Sequence, residues 1–238
     1  MKLNADVGEG AGHDEALFRW IDLANIACGG HAGSVDEMRS TVDLAMTYGV
    51  AVGAHPGYPD RENFGRKSMP MQAGEIKAII TDQVGALGEV CRELGAVMTY
   101  VKPHGALYHD MMRGADVLEE IVEAVAEFSN PLPIMVMAKL DNSLQKQVAG
   151  KFEVPLLFEA FADRAYTDEG ELMDRSLEGS VHDSSKKMIT QAMQLTRDGS
   201  VTSVSGRKLP FKVDTICVHG DNEASVAAAK EIYQALRS

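Results

Sequence analysis

Short apolar runs rich in Val, Ile, Leu and Ala alternate along the chain with longer stretches of helical period, the pattern of βα units around a parallel sheet. Seven runs are present, at 3–7, 23–28, 50–54, 97–102, 134–138, 156–160 and 215–218. The stretches between them read as helices. Ser34-Val35-Asp36-Glu37 is a capping box, in which the Ser hydroxyl accepts from the third helical amide and the Glu reaches back. Val35, Met38, Val42 and Ala45 then recur at spacings of three and four, and Gly49 supplies a left-handed stop. Ile76, Ile80, Val84, Leu87, Cys91 and Leu94 draw a second stripe that ends at Gly95, and Val117, Ile121, Val125 and Phe128 draw a third. Met188, Ala192 and Leu195 mark a helix before the seventh run, and 226–236 marks the last one. Residues 201–213, with Ser205-Gly206 at their centre, predict a hairpin inserted before the final strand. No linker rich in Pro, Gly or Ser and no repeat of 20–50 residues breaks the series, so one domain over 1–238 is expected.

Composition narrows the function classes. The 238 residues carry 23 Lys+Arg against 35 Asp+Glu, a net charge of −12, which disfavours a partner bound through nucleic-acid phosphates. Cys28, Cys91 and Cys217 are odd in number, far apart and without CxxC spacing, so neither a disulfide framework nor a zinc ribbon is expected. Asp6 falls where a signal peptide needs apolar residues, and no apolar run approaches the roughly 18 residues of a membrane span. A cytoplasmic protein without a membrane partner is the expectation.

The polar residues are concentrated where the strands end. In parallel α/β folds the loops after the strands' C-terminal ends converge on one mouth, where catalytic groups project. Here those ends read Asn4-Ala5-Asp6-Val7-Gly8-Glu9, Cys28-Gly29-Gly30-His31, Ala54-His55-Pro56-Gly57, Val101-Lys102-Pro103-His104-Gly105, Glu159-Ala160-Phe161-Ala162-Asp163-Arg164 and Val218-His219-Gly220-Asp221. Of seven histidines, five (His31, His55, His104, His109 and His219) sit just beyond a predicted strand end. A single histidine there is ordinary turn chemistry. Five spread over four separate loops predict a shared active-site mouth.

The chemistry of that mouth has two readings at this stage. Asp6, His31 and His55 come from three consecutive strands and suit an Asp-His-His set for a divalent metal. Without a metal, the same histidines serve as general acids and bases or as donors to a developing oxyanion. Lys102 lies on the side of its strand that His104 continues; it either holds an anionic substrate or pairs with Glu159 inside the mouth. Arg66 and Arg164 are candidates to grip a carboxylate or phosphate, and Asn4, Glu9, Asn25 and Glu159 complete the expected substrate-binding set. Cys28 reads as a small buried hydrophobe. No GxxxxGK[ST] or strand-following GxGxxG occurs, so any nucleotide must bind by another route.

The strand-end blocks, with Asn25-Ile26-Ala27-Cys28-Gly29-Gly30-His31-Ala32-Gly33, His55-Pro56-Gly57-Tyr58-Pro59-Asp60, Phe64-Gly65-Arg66, Lys102-Pro103-His104-Gly105-Ala106-Leu107-Tyr108 and Cys217-Val218-His219-Gly220-Asp221, closely resemble in order and spacing those of the LamB/YcsF family, the A subunits of 5-oxoprolinase. The resemblance covers the whole chain. It implies an α/β fold, a seven-stranded (β/α) barrel similar to the glycoside hydrolase/deacetylase superfamily. It also implies ATP-dependent hydrolytic opening of 5-oxo-L-proline to L-glutamate, with ATP as cosubstrate and subunits B and C as partners. On that reading Asp6, His31 and His55 hold or deprotonate the attacking water, directly or through a metal. Lys102, His104 and Arg164 stabilise the substrate carboxylate and the oxygen that gathers charge, and His219 with Asp221 protonates the leaving nitrogen. The competing expectations are a metal-dependent deacetylase or carbohydrate hydrolase, and a ligand-binding accessory protein without chemistry of its own.

Overall fold

The computed structural model describes residues 1–182, 184–219 and 223–237. Seven parallel strands close into a barrel: β1 (Lys2–Val7), β2 (Leu23–Ala27), β3 (Ala51–His55), β4 (Met98–Val101), β5 (Ile134–Met137), β6 (Leu156–Phe161) and β9 (Thr215–Cys217), with β9 paired to both β1 and β6. The connecting helices are α1 (Asp14–Phe18), α2 (Val35–Tyr48), α3 (Glu75–Leu94), α4 (Gly105–Arg113), α5 (Ala115–Ala126), α6 (Ser143–Lys151), α7 (Ser185–Asp198) and α8 (Glu223–Ala235). The expected hairpin is present as the antiparallel pair β7 (Ser200–Thr202) and β8 (Lys208–Pro210), between α7 and β9.

Local chemistry explains where the helices start and stop. Ser34 Oγ accepts from the Glu37 amide at 3.2 Å, and Gly49, at φ 67°, caps α2 in the left-handed region. Gly95 ends α3 in the same way at φ 74°. Three helices, α1, α4 and α6, were not expected from the pattern. α4 begins directly after His104, because Lys102-Pro103-His104-Gly105 reads as loop chemistry yet Gly105, at φ 54°, turns the chain straight into a helix.

The period of two along each strand divides the molecule into two cores. Leu3, Ala5 and Val7, with Ala24 and Ile26, are fully buried on the outside of the barrel in the large apolar core that includes Val42 of α2 and Ile80 and Val84 of α3. Each buried aliphatic side chain of this kind contributes about 1.5–3 kcal/mol. The alternate residues point into the barrel. Leu23, Tyr100 and Met135 form a small apolar floor, and Asn4, Asn25, Thr215 and Glu159 lie among the buried polar residues. Gly53 is required here: a Cβ at that position would sit 2.1 Å from the Tyr100 ring. The floor therefore seals the cylinder and leaves the polar groups facing its C-terminal end.

Candidate active site

Inside the barrel a hydrogen-bonded chain of amides carries order from the floor to the mouth. The Tyr100 hydroxyl donates to Asn25 Oδ1 at 2.7 Å, and Asn25 Nδ2 donates to Asn4 Oδ1 at 2.9 Å and to Asp6 Oδ1 at 2.7 Å. Asn4 Nδ2 in turn donates to Thr215 Oγ1 at 3.0 Å. Asn4 and Asn25 are fully buried, so they hold Asp6 in place instead of lining a substrate surface as the sequence suggested.

Lys102 sits above these amides. Its ammonium lies 3.1 Å from Asp6 Oδ1, 3.1 Å from Glu159 Oε2 and 3.3 Å from Cys217 Sγ. Burial works against the charge, but Asp6 and Glu159 overcome it and hold the Lys102 pKa well above the ordinary lysine range. Burial also disfavours the Asp6 carboxylate, and His55 and Lys102 outweigh it, keeping Asp6 well below the usual carboxylate range. Lys102 thus takes the second of its two expected roles, the pairing with Glu159. It is sealed at 3% exposure.

Three histidines and one glutamate meet beside Asp6. Glu9 Oε1 lies 3.0 Å from His31 Nε2, 3.3 Å from His104 Nδ1 and 3.7 Å from His55 Nε2, and the two latter nitrogens are 3.0 Å apart. The His31 and His104 rings stack at 3.6 Å with planes 2° apart. His55 is the last residue of β3, which fixes its backbone, and His104 is pinned through Nε2 to the Phe64 carbonyl at 3.0 Å. Phe64 adopts φ 54°, a left-handed conformation unusual for a bulky residue, and its ring packs edge-on against His31 and His104. Burial pushes the His31 pKa down to about 4 and lowers that of His104, so both rings are neutral near pH 7. Burial also opposes the Glu9 charge, but the His104 and His31 rings against it hold its carboxyl well below the ordinary range. The group able to hold a metal is Glu9, His31, His55 and His104. This corrects the expected set of Asp6, His31 and His55: Asp6 Oδ2 lies 3.4 Å from His55, but the carboxylate is already engaged by Lys102 and Asn25.

On the opposite side of Asp6, His219 Nε2 lies 3.7 Å from Asp6 Oδ2, and His219 Nδ1 donates to Asp163 Oδ2 at 2.6 Å. Burial disfavours the imidazolium, but the charge of Asp163 and this hydrogen bond raise the His219 pKa above its usual value. The expected partner, Asp221, lies outside the described residues; Asp163 fills that place. Arg164 is a second correction. It is 3% exposed, and its guanidinium donates to the carbonyls of Met173 at 2.6 Å and Ser180 at 3.3 Å, fastening the loop after β6. Arg66 is exposed and lies 5.0 Å over the Phe64 ring, at the rim beside His31 and His104. His109 lies half-buried on α4 beside Tyr108, outside the cluster.

Exposure shows where the mouth opens. The side chains of Asp6, Glu9 and His219 retain 10%, 13% and 16%, whereas those of His55, Lys102 and Glu159 keep no more than 4%. A small ligand therefore meets Asp6, Glu9 and His219 first, with Arg66 at the edge. Such a site offers a carboxylate with a charged lysine behind it, neutral imidazoles and one imidazole biased towards its charged form: proton acceptors and a proton donor grouped around Asp6.

Comparison with known proteins places this geometry in a family. The LamB/YcsF family model matches residues 1–238. Similar proteins include the second 5-oxoprolinase A subunit of Pseudomonas putida, 47% identical over 99% of this chain and 93% of that one, and the 5-oxoprolinase A subunit of Pseudomonas fluorescens, 46% identical over 99% and 96%. Among solved structures, the lactam utilization protein of Thermus thermophilus superimposes with a TM-score of 0.91 at 36% identity, covering 100% of this chain and 96% of that one. The chain belongs to the LamB/YcsF family.

Proposed function

We propose that this protein opens 5-oxo-L-proline to L-glutamate in an ATP-dependent reaction, as the A component of an assembly with two further subunits, B and C. Relatives of nearly the same length bear the name of the 5-oxoprolinase A subunit, and a structural relative is described as a lactam utilization protein. The observation that carries the reading is Asp6, shared between Lys102, His55 and His219 at the open end of the barrel. A five-membered lactam resists hydrolysis, so transfer of the ATP γ-phosphoryl group to its amide oxygen activates the ring carbonyl. Water then adds to that carbon, the carbon–nitrogen bond breaks as the nitrogen takes a proton, and a second water hydrolyses the acyl phosphate so formed, releasing phosphate. In sum, the lactam, one ATP and two waters give glutamate, ADP and phosphate.

In this scheme Glu9 and the neutral rings of His31 and His104 position the attacking water and take its proton, and His55 links them to Asp6. His219, oriented by Asp163, delivers a proton to the leaving nitrogen. Arg66 receives the substrate carboxylate at the rim. Three unpaired, buried cysteines accord with a reducing, cytoplasmic setting. A second reading, a metal-dependent deacetylase or carbohydrate hydrolase, is favoured by the histidine-rich group beside Glu9. Coupled measurement of glutamate release from 5-oxoproline separates the two. Release that needs ATP and the partner subunits is the expected result; ATP-independent hydrolysis of N-acetylated sugars with no glutamate release would overturn the proposal.

A further inference from the structure

We infer that Arg113 and Arg175, with His109 and His219, form a binding subsite for a phosphoryl group on the β6 side of the mouth. The loop that carries Arg175 is fastened on both sides of that residue. Arg164 donates to the carbonyls of Met173 and Ser180 at 2.6 and 3.3 Å, and Ser180 Oγ donates to the Arg175 carbonyl at 3.2 Å. Arg175 itself is exposed, and its Nη2 stands 3.4 Å from His219 Nε2, which in turn lies 3.7 Å from Asp6 Oδ2. A fixed backbone thus presents a solvent-facing guanidinium beside His219. The second contribution comes from α4, where Arg113 follows His109 by about one helical turn, so that both occupy one face. The His109 ring lies 6.0 Å from Tyr108, Tyr108 meets Phe161 edge-on at 6.3 Å, and Phe161 stacks on His219 at 6.3 Å.

The charges at this edge are unbalanced. Burial disfavours the His109 imidazolium, and the positive charges of Arg113, Arg164 and Arg175 disfavour it further, so three guanidiniums act on one ring in a chain of net charge −12. The acids in the same field are already engaged: Asp163 by His219, Asp174 by the amide and hydroxyl of Ser176, and Asp110 by the hydroxyls of Tyr58 and Ser68. Neither Arg113 nor Arg175 makes a salt bridge with any described residue. Arg164 is committed to main-chain carbonyls and adds charge without contact, whereas Arg113 and Arg175 keep exposed forks of the kind that bind phosphate bidentately. Two guanidiniums and two imidazoles suit a dianion with three oxygens better than a single carboxylate, the part proposed for Arg66 across the mouth. The identity of the phosphoryl group rests on the ring-opening reading: it is the γ-phosphoryl of ATP or the group carried on the lactam oxygen. In both cases the subsite holds it beside His219 and offsets its charge.

The test is titration of inorganic phosphate into the full chain at constant ionic strength, read by calorimetry and phosphorus NMR. Saturable one-to-one binding is expected, weakened about tenfold or more by Arg175→Gln and again by Arg113→Gln. Both side chains are exposed, so the variants should fold, which circular dichroism checks. Arg39→Gln, which removes an equal charge on α2, should leave binding unchanged. Titration with magnesium ATP then assigns the source. Binding about tenfold or more tighter than phosphate, and sensitive to Arg175→Gln, identifies the nucleotide; binding no tighter identifies the group on the lactam. Absence of saturable phosphate binding, or binding that survives the double substitution in folded protein, overturns the subsite. So does acetate that binds as tightly as phosphate and is lost with the same substitutions. Phosphate binding without glutamate release from the assembly would overturn ring opening alone, and release without phosphate binding would overturn the subsite alone.

Discussion

Asp163 Oδ2 accepts a hydrogen bond from His219 Nδ1 at 2.6 Å, joining the loop after β6 to the loop after β9 and turning His219 Nε2 towards Asp6. The pairing sets a pH dependence. His219 has a raised pKa because Asp163 overcomes the cost of burial, so a proton donor at this position is lost only as pH rises through that raised value. Asp163→Asn removes the charge and should move the alkaline limb of the kcat/KM profile to lower pH, with kcat falling on the order of 10²-fold. An unchanged profile in folded protein would remove His219 from the acid role.

The buried charges predict stability as well as activity. Lys102→Met leaves Asp6 and Glu159 without their ammonium and should cost about 3–5 kcal/mol in chemical denaturation. Adding Glu159→Gln should recover part of that loss. A loss under about 1 kcal/mol for Lys102→Met would mean that the ion pairs contribute little.

Acid should destabilise the mouth. Asp6 and Glu9 have pKa values depressed in the folded protein, so their contribution is complete above the unfolded carboxylate range near about pH 4 and disappears as pH falls through the folded values. The raised His219 acts in the opposite sense: its contribution is complete below about pH 6.5 and is lost as pH rises through its folded value. Denaturation midpoints across pH should therefore decline below about pH 4, and Glu9→Gln should flatten that decline.

The two arginines expected at the mouth should separate experimentally. Arg66→Ala, at the exposed rim, should raise KM for 5-oxoproline about tenfold with little change in stability. Arg164→Ala leaves the Met173 and Ser180 carbonyls without their donor and should cost about 1–3 kcal/mol in stability. The reverse pattern would restore Arg164 to substrate binding.

The barrel was legible because its strands repeat one simple period. Six of the seven apolar runs end beside residues that stand at or just beneath the mouth, from Asp6 to His219. What sequence spacing did not reveal was partnership. His219 pairs with Asp163, 56 positions away, while the eye is drawn to Asp221 two residues on. Glu9 reaches the histidines because Gly8 and Gly10 turn its loop with φ 71° and 81°, a path that residue type alone does not specify. Arg164 was misplaced because its partners are main-chain carbonyls, which every sequence contains. The Phe64 carbonyl that fixes His104 depends on a backbone conformation that Phe rarely takes.

The decisive measurement is turnover by the proposed assembly with subunits B and C, carrying His219→Asn in this chain. ATP-dependent glutamate release should fall at least about 10²-fold while circular dichroism and assembly remain unchanged. Turnover close to wild type would contradict a catalytic mouth at Asp6 and His219 and place the chemistry in another subunit.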